Sequence, residues 1–116
     1  MKQFNFLPKY KNWILGEKKS RTVRFGDKYC KEFRVGDKVA ITVGDNSKTQ
    51  KIADAEILEL VYKKIKEIKP EDVIGDPEAW PIRSLISGLT EIYLKRIGRK
   101  VREEDFVTIV GFKVVQ

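Results

Sequence analysis

The sequence predicts an α+β domain: a small, mostly antiparallel β-barrel or curled sheet of five or six strands, with one main helix and a short N-terminal helix. Three observations carry this reading. The chain has 116 residues, enough for one sizeable core and little more. Alternating apolar segments recur along it, whereas only one stretch holds a helical period over several turns. Strands and helices do not alternate as they would in a parallel βαβ sheet. With 41% hydrophobic and 35% charged residues, the composition is that of an ordinary globular chain, unlike a disordered tail or a collagen. No repeat, low-complexity tract or linker interrupts it, so residues 1–116 read as a single domain.

Residues 3–7 alternate like a strand and stop at Pro8. Residues 8–16 read as a short helix, with Tyr10, Trp13 and Ile14 on one face and Gly16 at the C-terminal cap. Residues 20–25 form a strand ending at Gly26 and Asp27; residues 33–43 are a turn followed by a strand, and 44–47 a hairpin turn. The next strand runs from about residue 51 to 62 and packs through Ala53, Ala55, Ile57 and Leu60. Residues 63–76 are charged, with a helical turn after Pro70. The main helix starts at Pro81, carries Ile82, Leu85, Ile86, Leu89, Ile92, Tyr93 and Ile97 at three- and four-residue spacings, and closes at Gly98. Residues 106–115 are a last strand, with a bulge expected at Gly111.

The charge is uneven. Residues 1–51 hold 13 basic and 5 acidic side chains, residues 52–116 hold 11 and 12, and so the net +7 comes from the first half. The chain has no histidine, which excludes a Ser-His-Asp triad, a Cys-His pair and His-ligated zinc. No metal and no cofactor are expected. The single cysteine, Cys30, excludes an intramolecular disulfide; it reads as a small half-buried apolar side chain in a reducing compartment. The N-terminus has no signal-like apolar run and no segment is long enough to span a bilayer, so a cytoplasmic protein without membrane partners is expected. Few Asn and Gln beside many Lys and Glu hint at a heat-adapted source.

Four segments in order resemble the ASCH domain, a branch of the PUA-like barrels. They are Trp13-Ile14-Leu15-Gly16-Glu17-Lys18-Lys19, the strand Lys19-Ser20-Arg21-Thr22-Val23-Arg24, the turn Phe33-Arg34-Val35-Gly36-Asp37, and the closing Phe106-Val107-Thr108-Ile109-Val110-Gly111-Phe112. Together they span nearly the whole chain. Within that superfamily, Lys-x-x-Thr-[Val/Ile]-Arg is similar to the small N4-acetylcytidine amidohydrolases, which implies a threonine nucleophile, a lysine base and a glutamate. The matching positions are Lys19, Thr22 and Arg24. Counting back along the main helix from Tyr93 brings the glutamate onto Glu78. Lys18 competes with Lys19, and Asp76 with Glu78.

Strand geometry constrains this constellation. Alternate residues share a face, so Ser20, Thr22 and Arg24 point one way, and Lys19, Arg21 and Val23 the other. Lys19 joins Thr22 only if it lies in the turn before the strand or a bulge intervenes. A threonine hydroxyl needs an adjacent base, and a lysine serves only when its pKa falls from about 10.4 to about 7 or 8. The residues also support a binding reading. Residues 9–34 hold nine basic and three acidic side chains, interleaved with Tyr10, Trp13, Phe25 and Tyr29, the footprint of a polyanion site. The expectation is a monomeric RNA- or nucleotide-binding domain with a basic cleft around residues 16–34. Lys18, Arg21, Arg24 and Lys28 would contact phosphates, and Trp80 would line the cleft. The alternative is an amidohydrolase acting on N4-acetylcytidine or a related acylated nucleoside through Lys19, Thr22 and Glu78.

Overall fold

The computed structural model describes residues 2–45 and 48–115. Apolar and β-branched segments, alternating in burial on β1 and buried almost throughout on β3 and β5, are drawn into one mixed sheet of five strands among the described residues. They are β1 (Lys2–Phe6), β2 (Arg21–Phe25), β3 (Lys38–Asp45), β4 (Lys48–Lys64) and β5 (Phe106–Val115), in the spatial order β1-β3-β4-β5-β2. The β1–β3 ladder is parallel and the other three are antiparallel. Three helices flank the sheet: α1 (Lys11–Leu15), α2 (Lys28–Glu32) and α3 (Ile82–Ile97). Short 3-10 turns lie at Pro8–Tyr10, Ile65–Glu67 and Pro70–Val73, the last where the sequence places a turn after Pro70. Of the expected hairpin turn, Asn46 and Ser47 lie outside the described residues. No helix among the described residues is long and apolar enough to cross a membrane.

The expected closed barrel is not formed, and β1 and β2 remain as sheet edges. They face one another across the side chain of Arg24, whose Nη2 donates to the Asn5 carbonyl at 2.7 Å. A ladder needs strands about 4.8 Å apart, and a guanidinium between the edges takes the place of one. The expected bulge at Gly111 is also displaced. The register shifts between Ile57 and Glu59 of β4, directly across from Phe112 and Gly111, so the extra residue is Leu58. That shift explains the packed set on β4: Ala55 and Ile57 are buried, and after the bulge Leu60 continues the same core. Gly111 sits where a Cβ would press on Glu59 at 3.1 Å.

Two cores result. One gathers Phe4, Phe6, Phe33 and Phe112 beneath Ile14 of α1. The other seats Leu85, Leu89 and Tyr93 of α3 against Val23, Val107 and Ile109. These three helical residues are the buried row of the predicted apolar face, while Ile92 is 57% exposed. Pro81 is the N-cap of α3 and not its first helical residue, its carbonyl accepting from the Ser84 and Leu85 amides. Gly98, at φ 73°, closes the helix in the left-handed conformation expected of it. The sequence reading passes over α2, because five residues are too few to show a period.

Candidate functional site

Between β2, the segment before α3, and α3 itself lies a cavity of about 590 Å³. Its most buried polar wall begins at the end of α1. The Trp13 carbonyl accepts from the amides of both Lys18 (2.8 Å) and Lys19 (3.0 Å), and Glu17 takes φ 60°. The chain therefore bends before β2 starts at Arg21, and Lys19 lies in that bend, outside the strand. This is one of the two ways that strand parity leaves for Lys19 and Thr22 to line one cavity, and both do. Of the two competing lysines, Lys18 is exposed and Lys19 is 4% exposed.

Lys19 Nζ lies 3.0 Å from Asp76 Oδ1 and 4.8 Å from the centre of the Tyr10 ring. Burial lowers its pKa, more than the charge and hydrogen bond of Asp76 raise it, and nearby Arg24 lowers it further; the net direction is down. Asp76 is delivered by a tight junction. The Ser20 and Arg21 amides both donate to the Gly75 carbonyl. Gly75 adopts φ 94°, and a Cβ there would lie 2.3 Å from Ser20 Oγ, so only glycine fits. Asp76 Oδ1 also accepts from the Glu78 amide at 3.2 Å, fixing the turn that carries Glu78.

The two competing acids thus occupy different places. Asp76 holds Lys19, whereas Glu78 stands at the cavity mouth, 46% exposed, with Lys9 Nζ at 3.8 Å. Burial, then the adjacent Glu78 carboxylate, push the Tyr10 phenol well above its usual range. Thr22 is 6% exposed and its hydroxyl accepts from Arg24 Nε at 3.4 Å. Arg24 also donates to the Tyr29 hydroxyl at 3.0 Å, and its guanidinium lies 4.5–5.2 Å from the ring centres of Phe4, Phe6 and Tyr29. So engaged, it braces β1, β2 and α2 around Thr22. Trp80 lines the mouth and is 43% exposed.

Lys19, Thr22, Arg24, Glu78 and Trp80 therefore share one cavity, and Lys18, Arg21 and Lys28 do not line it. Arg21 faces away, pairing with Glu59 at 3.2 Å and donating to the carbonyls of Glu71 and Ile74. It pins the segment that carries Asp76. The cavity is not the basic cleft expected around residues 16–34: Lys19, Arg24 and Arg96 are offset by Asp76 and Glu78. The physical reason is that Arg21 is drawn outward to Glu59, while Lys18 stays exposed in the bend before β2 and Lys28 is the exposed first residue of α2. Sequence reasoning missed Arg96 as a lining residue, whereas Tyr10, one of the aromatics interleaved with the basic run, does line the cavity. The four-residue spacing of Ser84, Gly88, Ile92 and Arg96, all on the cavity wall, was the available signal for Arg96. Among the described residues, no cluster of three or more His, Cys, Asp or Glu side chains is placed to hold a metal ion.

Three solved structures share this architecture. An ASCH domain from Lactobacillus crispatus JV V101 matches with a TM-score of 0.69 at 15% identity, over 97% of this chain and 79% of that one. A DUF984 protein from Enterococcus faecalis V583 matches with a TM-score of 0.72 at 13% identity, over 92% of this chain and 70% of that one. A hypothetical protein is matched over its full length and 99% of this chain, with a TM-score of 0.62 at 15% identity. No family model and no curated protein matches the chain. At such identities the likeness establishes the fold alone, and that fold is ASCH-like.

Proposed function

We propose, from an ASCH-like fold with a cavity lined by Lys19 and Thr22, that this domain binds a nucleoside, free or at an unpaired position of an RNA strand. The observation that carries the reading is the composition of the cavity wall. Thr22 and Glu78 offer hydrogen-bonding groups for a base edge or ribose, and Trp80, Tyr10 and Tyr29 offer aromatic surface in the same space. At about 590 Å³ the space falls in the range of small-ligand sites. The strand's phosphates would meet the exposed lysines outside the cavity, Lys18 and Lys28.

Two such contacts, at about 0.7 per phosphate on a single strand, predict roughly sevenfold weaker RNA binding at 200 mM than at 50 mM salt. Fluorescence anisotropy with a labelled single-stranded oligonucleotide measures this, and free nucleoside competes for the same site. Undetectable binding, or binding that nucleosides do not displace, removes the proposal.

A second reading is favoured by one observation: Lys19 is buried with a lowered pKa in the cavity that Thr22 lines. The neutral amine of Lys19 takes the Thr22 hydroxyl proton as Oγ attacks the carbonyl carbon of an acylated cytidine amine. The carbon–nitrogen bond then breaks, the proton passes from Lys19 to the leaving amine, and water cleaves the acyl-threonine. Conversion of N4-acetylcytidine to cytidine and acetate, followed by chromatography, tests this. Conversion by wild type that persists in Thr22→Ala contradicts it.

A further inference from the structure

The wall that α3 contributes to the cavity contains a residue the fold does not require. Residues four apart share a helix face, and Ser84, Gly88, Ile92 and Arg96 form such a row along the cavity. Glycine is the poorest helix former after proline, because its backbone loses the most freedom on ordering. Where packing demands a glycine, a neighbour stands where its Cβ would go, as Glu59 does at Gly111. At Gly88 a Cβ meets no heavy atom within 4 Å, and φ is not in the left-handed region. The position is also interior to the sixteen residues of α3, so no cap explains it. The empty space beside Gly88 is the cavity itself. Around the same cavity Leu7, Trp80 and Ile92 keep 40%, 43% and 57% of their surface exposed, an apolar patch in one concave place.

We infer that Gly88 is a specificity-determining residue: the bare backbone of α3 admits the flat face of a heterocyclic ring beside Ile92, where any larger side chain would exclude it. This rests on the reading that the cavity takes a nucleoside. Contact with a ring face depends on flatness and is indifferent to the hydrogen-bonding edge. It therefore selects planar rings over sugars and aliphatic ligands, without choosing among the four bases.

The test compares wild type with Gly88→Ala, Gly88→Leu and Ser87→Leu. Ser87 is exposed and does not line the cavity. Each is melted thermally and titrated, by tryptophan fluorescence, with cytidine, uridine, adenosine, guanosine and their 5′-monophosphates. Gly88→Ala is expected to melt about 4 °C higher, from helix propensity alone. Gly88→Leu is expected to bind at least about tenfold more weakly, and Ser87→Leu to bind as wild type does. Equal affinity of Gly88→Leu and wild type overturns this inference and leaves the nucleoside reading standing. A wild type that binds none of these ligands overturns the nucleoside reading, and this inference with it. Should Gly88→Leu not fold, Gly88→Ala decides: a higher melting point with weakened binding supports the inference, and a lower melting point or unchanged affinity overturns it.

Discussion

Replacing Lys19 by methionine keeps the length of the side chain and removes the partner of a buried carboxylate. Lys19 and Asp76 have side chains 4% and 7% exposed, 3.0 Å apart. Removing one member of such a pair costs about 3–5 kcal/mol, chiefly because the remaining charge is stranded away from water. For a chain of 116 residues, each kcal/mol moves the melting temperature by about 4 °C. Lys19→Met should therefore melt about 12–20 °C below wild type, followed by circular dichroism at pH 7. Lys19→Met combined with Asp76→Asn removes the stranded charge and should recover more than half of that loss. The pH dependence carries a definite sign. Because the folded pKa of Lys19 is lowered from 10.5, the unfolded chain binds more protons between the folded value and 10.5. Stability from this group therefore rises with pH across that window, and the rise should vanish in the double variant. A loss below about 4 °C in Lys19→Met, or no recovery in the double variant, would refute the argument that this pair is buried and coupled.

Three further outcomes follow from the same geometry. Thr22→Ala removes a hydroxyl that accepts one long hydrogen bond, so it should cost only about 1 kcal/mol in denaturant melts while abolishing any hydrolysis of acetylcytidine. Arg24→Lys keeps the charge but loses the fork that reaches Asn5, Tyr29 and Thr22 at once; it should destabilise the domain by about 2 kcal/mol and raise amide exchange along β1 and β2. Trp80→Ala should weaken nucleoside binding by about 1–3 kcal/mol of stacking and shift the melting temperature by no more than a few degrees, since the side chain is 43% exposed.

The elements that the sequence discloses are those with long periods. Leu85, Leu89 and Tyr93 lie four apart, and they are the buried row of α3. The β-branched run Val107-Thr108-Ile109-Val110 likewise marks β5, which is buried continuously from Val107 to Phe112. What stays hidden depends on partners. Alternation cannot say whether two edge strands pair, and here Arg24 stands between them. Nor can Gly111 reveal that the inserted residue is Leu58 on the strand beside it. At the site, parity correctly separates Thr22 and Arg24 from Arg21 and correctly states that Lys19 needs a bend or a bulge. The bend itself comes from Glu17 at φ 60°, a conformation that no residue type announces. The division of labour between Asp76 and Glu78 is equally invisible, because it rests on a long-range contact fifty-seven residues away from Lys19.

The proposed nucleoside site is the cavity between β2 and α3. The most direct measurement is a titration of isotopically labelled protein with cytidine and with a single-stranded oligonucleotide, followed by amide and side-chain chemical shifts. Both ligands are expected to shift Lys19, Thr22, Glu78, Gly88 and Trp80, and the oligonucleotide to shift Lys18 and Lys28 in addition. Shifts confined to the outer lysines, or no shift with either ligand, would contradict it.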